Sequence, residues 1–340
     1  MSKLPSKLSK LYPFNWYYPP LAILVLLAWA LLFFVLLYLP AKITLEKEMQ
    51  KAISEVKAQY ENLMFYQGID LPETFYFCGT RIDVQSYQEQ LMLKKALAYF
   101  LDKSHLTSLY LSALPHYLPW IEEILQQNGL PDDLKFVPVI ESGLDPQIRS
   151  SAGAIGWWQF MKYTARFRNL VVTRYVDQRR DPIMATYAAS RHFQSLYDKF
   201  DGDWPLVLAA YNAGEGRVRE AQRIQGHLDY SLLNLPQETR NFVYLIMAIK
   251  IIYENPQLYK FQIAPENYFV PLEFDTLTVT VNRGTRLTLS EIARACDTST
   301  QAIQDLNPSF LTNDIPRGEW LIRLPKNKRE LFLTNYYEFH

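Results

Sequence analysis

The sequence predicts a mostly α-helical chain in three parts. These are an N-terminal transmembrane helix, a helical middle domain and a small C-terminal α+β domain. Three observations carry this reading. Residues 21–39, LAILVLLAWALLFFVLLYL, hold no charge, no Gly and no Pro. Between 87 and 254, helix start and stop signals alternate with apolar stripes at spacings of three and four. The clearest strand patterns are two short runs near the C-terminus, 277–281 and 321–325.

A helix needs about 20 apolar residues to cross the hydrocarbon core. A cleavable signal peptide has a shorter apolar region, ~7–15 residues, and a small-x-small cleavage site. Leu39-Pro40-Ala41-Lys42 offers no such site, so residues 21–39 are expected to stay as a signal anchor. No cysteine follows closely, which excludes a lipoprotein anchor. Lys3, Lys7 and Lys10 precede the run without an acid, so residues 1–20 are expected on the cytoplasmic side and the rest across the membrane. Trp16, Tyr17 and Tyr18 suit an interfacial aromatic belt.

Residues 41–86 read as a stalk and packing segment. Met49, Ile53, Val56, Tyr60 and Leu63 form a helical stripe, too short to argue a coiled coil. Residues 71–88 look irregular to β. Two helical patterns fill 87–128, the second entered by Pro119 and ended by Asn128-Gly129.

Composition removes several functions. Lysine plus arginine is 35 and aspartate plus glutamate is 35, so the net charge is zero and no nucleic-acid partner is expected. Two cysteines, Cys78 and Cys296, make no disulfide scaffold or zinc ribbon, and whether they pair is open. The five histidines lack His-Glu-x-x-His spacing, and no Gly-x-Ser-x-Gly or P-loop string occurs. No metal or cofactor is expected. Aromatic residues, at 14%, suit either a large core or sugar-stacking platforms.

The chemistry concentrates in 129–254. Gly129-Leu130-Pro131-Asp132-Asp133 stops one helix and starts another near 132–142. Glu141 is the one acid in the run Val137, Pro138, Val139, Ile140, and on a helix Val137 and Pro138 share its face. Apolar surroundings disfavour a carboxylate and raise its pKa, the state a general acid needs near neutral pH. The small-residue stretch 150–156 lets backbone or a bulky ligand approach closely. Trp157, Trp158, Gln159 and Met161 follow, offering stacking surface and an amide suited to an N-acetylated sugar. One of the two tryptophans is expected in the core. Asp181-Pro182 opens a packing helix in which His192 is structural. Asp203-Trp204-Pro205 opens another, ending at Gly214 with Tyr211 and Asn212 in its last turn. A long apolar helix spans 236–254.

Four motifs resemble the family 1 lytic transglycosylase domain: Glu141-Ser142-Gly143; Ser150-x-Ala-Gly-Ala-x-Gly-x-x-Gln159; Ala210-Tyr211-Asn212-Ala213-Gly214; and Glu238-Thr239-Arg240. Tyr175-Val176-Asp177-Gln178-Arg179-Arg180-Asp181-Pro182 is similar to the membrane-bound lytic murein transglycosylase D subtype. The resemblance covers residues 87–254 and implies a goose-lysozyme-like helical fold. It implies non-hydrolytic cleavage of the β-1,4 bond between N-acetylmuramic acid and N-acetylglucosamine, with a 1,6-anhydro product. Glu141 would act as acid and then base. Ser150, Trp158, Gln159, Met161, Tyr211, Asn212 and Glu238 would bind substrate. Glycosidases ordinarily use two carboxylates. Asp145 stands beside a turn proline and reads as a cap, and Glu238 at a helix start equally suits capping. Lys162, Phe242 and Trp157 depart from the family pattern.

The Pro-rich stretch 255–272 reads as a linker. Residues 273–326 run β-α-α-β and are similar to a LysM peptidoglycan-binding module in "IARACDTSTQAIQDLNP" and "GEWLIRLP"; residues 327–340 read as a tail. The implied partners are peptidoglycan glycan strands and the bacterial inner membrane, through 21–39, with the catalytic part facing the periplasm. A catalytically silent wall-binding scaffold and a lysozyme-type hydrolase are the alternatives.

Overall fold

A computed structural model describes residues 19–339, apart from 73, 74 and 85. The three lysines and the aromatic belt at 16–18 lie outside the described residues. The described residues fall into two compact units that divide between Gly68 and Ile69.

The first unit is one long helical path. Helix α1, Pro19–Phe33, passes through a π-helical turn, Phe34–Tyr38, into α2, Leu39–Gln67. The π turn has a cause in sequence. Pro40 has no N–H to give the carbonyl one turn back, and its ring crowds that carbonyl. The Leu39 N–H reaches instead to the Phe34 carbonyl, five residues back. This is the one described helix long and apolar enough to cross a membrane. Its apolar side chains are exposed, as are Met49, Ile53 and Val56 of the expected stripe; Tyr60 and Leu63 lie outside the described side chains.

The second unit is helical, with two small two-stranded antiparallel sheets. Strands β1, Tyr76–Phe77, and β2, Thr80–Arg81, pair around Cys78-Gly79. Helices α3, Tyr87–Asp102, and α4, Ser104–Gln127, follow. Pro119 does not open α4, as the sequence suggested. Leu111, Leu114, Leu118, Ile121 and Leu125 form an unbroken buried stripe at spacings of three and four, and this packing carries the helix across both Pro115 and Pro119. A 3₁₀ turn at Asp132–Phe136 leads into the short α5, Val137–Ser142, and α6 covers Lys162–Phe167. Then come α7, Pro182–Lys199; α8, Trp204–Ala213; α9, Glu215–Gln225; and α10, Gln237–Glu254. Helix α10 runs through the core, packing on α3, α5 and α8, with Val243, Ile246 and Ile249 fully buried.

The C-terminal part pairs β3, Phe274–Val281, antiparallel with β4, Gly318–Pro325, in the register Phe274↔Pro325 to Val281↔Gly318. Helices α11, Leu289–Ala295, and α12, Thr300–Leu306, cover one face around Leu289, Ile292, Ile303 and Ile322. The expected tail is instead helix α13, Arg329–Phe339, which packs on α11 and buries Phe332 in the same core. The linker is strapped down too: the Phe269 and Leu272 N–H groups donate to the Ser112 and His116 carbonyls of α4. Both cysteines are buried and free.

Candidate active site

Glu141 sits in the last turn of α5, and three features fix that turn. Asp133, buried just ahead of it, pairs with Lys250 of α10 at 2.9 Å and accepts the Cys78 N–H at 2.6 Å. Lys135 ties Glu122 of α4 at 2.6 Å. Gly143 then ends the helix with φ +62°, where an added Cβ would press on the Tyr110 ring and hydroxyl at 3.0–3.4 Å. Asp133, which read as a helix-favouring charge, therefore also docks α5 on the core.

Burial pushes the Glu141 carboxyl up to about 8, and the nearby Glu238 carboxylate adds to the rise. The group is thus protonated at neutral pH. Glu238 lies in the first turn of α10, exposed, so α10 brings a second acid within electrostatic reach. Asp145 accepts the Gln147 N–H at 2.7 Å, a turn cap as its sequence position suggested.

Tyr211 stands at the centre of the constellation. Its ring stacks on Phe193 with centroids 4.7 Å apart. Its hydroxyl donates to the Trp158 carbonyl at 2.6 Å. Burial and the Glu141 charge both hold that hydroxyl well above the ordinary tyrosine range, so Tyr211 stays a neutral donor beside Glu141. Because it grips the residue before Gln159, Tyr211 also fixes the loop 150–161.

That loop is closed on itself. The Ser150 hydroxyl accepts the Ala154 N–H at 3.0 Å. Gln159 adopts φ +46°, uncommon for a side-chain-bearing residue, and its amide donates to the Gly156 carbonyl at 2.8 Å. Gly156 is required: a Cβ there would lie 1.9 Å from the Arg179 carbonyl oxygen. Arg179 is buried, paired with Asp177 at 2.7 Å, and donates to the Phe160 carbonyl at 3.1 Å. The 175–182 motif is therefore the brace behind the loop.

Of the expected substrate-binding residues, Ser150, Gln159, Tyr211 and Asn212 are half-buried, and Met161 and Glu238 are exposed. Trp158 is a correction. It is fully buried, its indole N–H donates to Thr186 at 2.9 Å and its ring meets Phe193, so it has no free face for a sugar. Trp157 is buried as well. His192 is structural, held beside Arg168 at 3.0 Å and pushed down to about 4, chiefly by burial. Sequence reasoning missed Phe193 and Thr186, which lie on the packing helix that Asp181-Pro182 opens.

Residues 119–234 match the family described as "Transglycosylase SLT domain", and residues 275–339 match "Lytic transglycosylase MltD, LysM-like domain". The chain is 36% identical over 187 residues to membrane-bound lytic murein transglycosylase D of Escherichia coli K12, covering 54% of this chain and 41% of that protein. It is also 36% identical over 118 residues to peptidoglycan transglycosylase gp16 of Escherichia phage T7, covering 34% of this chain and 9% of that protein. The 70 kDa soluble lytic transglycosylase of Escherichia coli aligns in structure with a TM-score of 0.37 and 20% identity, over 49% of this chain and 32% of that one. The chain thus matches about two fifths of the length of the first of these relatives. Its helical part is thus similar to an SLT transglycosylase domain over residues 119–234, and its C-terminal part to a LysM-like domain of the MltD type over residues 275–339.

Proposed function

We propose that the chain is a membrane-anchored lytic transglycosylase that cleaves the β-1,4 bond between N-acetylmuramic acid and N-acetylglucosamine in peptidoglycan. The observation that carries this is the Glu141 carboxyl, held protonated at neutral pH at the end of a helix pinned to the core. In this reading Glu141 gives its proton to the glycosidic oxygen as the bond from the anomeric carbon breaks. The muramoyl O6 then bonds to that carbon, and the Glu141 carboxylate takes the O6 proton. The acid is restored and a 1,6-anhydro ring is closed, with no water consumed. Ser150, Gln159, Met161, Tyr211 and Asn212 line the sugar cleft.

The proposed domains are the anchor at 21–39, the transglycosylase domain at 87–254 and a peptidoglycan-binding domain from 273. The apolar N-terminal helix and the "membrane-bound" relative support attachment to the inner membrane with the catalytic part in the periplasm. One observation favours a second reading, hydrolysis: the Glu238 carboxylate near Glu141 could orient a water. Release of soluble muropeptides from purified sacculi tests the assignment. Wild type should release them and Glu141→Gln should not. Equal release by the two would remove Glu141 from the chemistry.

A further inference from the structure

The C-terminal part holds segment 175–181, the same segment that braces the 150–161 loop. Residues 309–311 run antiparallel to 175–177, bridged at Val176 and Phe310. The Asp177 N–H donates to the Ser309 carbonyl at 2.8 Å, and the Leu311 N–H donates to the Tyr175 carbonyl at 2.9 Å. Four residues past Asp177, the Asp181 carboxylate accepts from both terminal nitrogens of Arg323, at 2.7 and 2.9 Å. This ion pair is almost closed to water, with Asp181 5% and Arg323 4% exposed. Buried Asn307 fixes Arg323 in turn. Its side-chain amide donates to the Arg323 carbonyl at 2.8 Å, and its side-chain oxygen accepts the Arg323 N–H at 2.9 Å.

Segment 177–179 carries the hold onward. Asp177 gives its backbone N–H to Ser309 and its carboxylate to Arg179, at 2.9 Å and 2.7 Å. The Arg179 guanidinium donates to the Gly153 and Phe160 carbonyls at 3.3 and 3.1 Å, which flank the turn of the loop. Within that turn lie Trp158, whose carbonyl accepts the Tyr211 hydroxyl, and Gln159. Asp177 and Arg179 are both buried, so these bonds act in low dielectric, where they are strong and costly to leave unmade. A continuous series of polar contacts therefore leads from β4 to the residues beside Glu141. We propose that the C-terminal part is a positioning element of the candidate active site, with Arg323 and Asp181 as positioning residues that hold the 150–161 loop in its working geometry. Both act through Arg179 rather than on the substrate. This role rests on the transglycosylase reading above. Geometry is worth much in such a site: a misplacement of about 1 Å can cost on the order of 10²-fold in rate.

The test compares full-length wild type with Arg323→Gln in detergent, at a temperature where melting curves show both folded. The substrate is a soluble tetrasaccharide of alternating N-acetylglucosamine and N-acetylmuramic acid, which offers no wall to be tethered to. Arg323→Gln should lower kcat about tenfold or more. A domain that only tethers would instead raise KM on sacculi and leave kcat on the tetrasaccharide unchanged. Arg323→Lys keeps the charge but loses the two-point contact, and should lower kcat by less. Adding Asp181→Asn to Arg323→Gln should restore most of the turnover, because the pair is then neutral and Asn caps α7 as well as Asp does. Phe332→Leu, which loosens the C-terminal core without touching the ion pair, should lower the melting temperature and spare kcat. Amide hydrogen exchange reads the coupling without the chemistry. In Arg323→Gln the Ile155 and Gln159 N–H groups, bonded inside the loop, should exchange about tenfold faster, and those of α10 should not. Unchanged kcat in both Arg323 variants, or an equal loss in Phe332→Leu, overturns the proposal, as does unchanged exchange in the loop. A wild-type chain inert on tetrasaccharide and sacculi, with faster loop exchange in Arg323→Gln, removes the transglycosylase reading and leaves the hold on the loop standing.

Discussion

The Glu141 carboxyl must carry a proton to act as an acid, so its titration should appear in the rate. With the group pushed up to about 8, cleavage should be sustained through neutral pH and fall as pH rises past that value. Glu238→Gln removes a neighbouring negative charge that helps keep the proton on. The falling limb should then move to lower pH while burial still holds it above the ordinary carboxylate range. A limb that stays put would separate the two residues. Stability gives an independent reading with the sign fixed by linkage. The folded-state pKa lies above the ordinary 4.5, so this group's contribution is complete below that value and is lost as pH rises through about 8. Glu141→Gln should therefore gain melting temperature over wild type at about pH 9 and show little gain at about pH 4. In activity, the same variant should lose at least ~10²–10⁴-fold, the usual worth of acid–base catalysis. The raised Glu141 carboxyl was legible because it is a lone acid in an apolar run closed by Gly143. Trp158 was not, because its burial is decided by Thr186 and Phe193, a helix away in sequence.

Between elements, the clearest constraint is the packing of the 150–161 loop on the segment 177–182. Gly156→Ala would place a methyl 1.9 Å from the Arg179 carbonyl and force a positive φ of 79° on a residue with a side chain. The strained backbone alone costs about 1–3 kcal/mol, and the displaced loop carries Gln159. A denaturant melt should show that loss together with reduced cleavage; a neutral substitution would contradict the packing. Asp181 has two jobs, capping α7 through the Ile183 and Met184 N–H groups and neutralising buried Arg323. Asp181→Ala should cost about 3–5 kcal/mol by leaving that charge unpaired, measured by the same melt. The helix starts at Asp181, Asp203 and Ser299 were readable from their capping residues. The run through Pro119 was not, since local chemistry says stop and only packing of the buried stripe says continue. Helix α9, Glu215–Gln225, polar over most of its surface, gave too weak an apolar pattern to be read.

Across the whole molecule, the C-terminal domain is joined to the helical one by more than a tether. The Asp177 N–H donates to Ser309 at 2.8 Å, the Leu311 N–H donates to Tyr175 at 2.9 Å, and Arg323 reaches Asp181. Removing residues 273–340 would uncover Val176 and leave Asp181 without its partner. Truncation should therefore lower the melting temperature of the helical domain as well as weaken sacculus binding; an unchanged melt would mean the seam is loose in solution. This coupling was hidden in the sequence because the 175–182 motif sits far along the chain from its partners, 142 residues in the case of Asp181 and Arg323. The tail was misread for a related reason: Phe332 becomes a core residue only once α11 is folded against it. At the other end, a reporter enzyme that works only outside the cytoplasm, fused after residue 60, should be active. Cytoplasmic activity of that fusion would reverse the proposed orientation.

The central claim is that one residue gives the proton and takes it back from the substrate's own O6. Mass spectrometry of the muropeptides released from purified sacculi tests it most directly. The account predicts muramoyl ends in the 1,6-anhydro form, lighter than reducing ends by one water, with wild type and none with Glu141→Gln. Predominantly reducing muramic acid ends from wild type would show that water attacks instead, and would contradict the account in favour of a hydrolase.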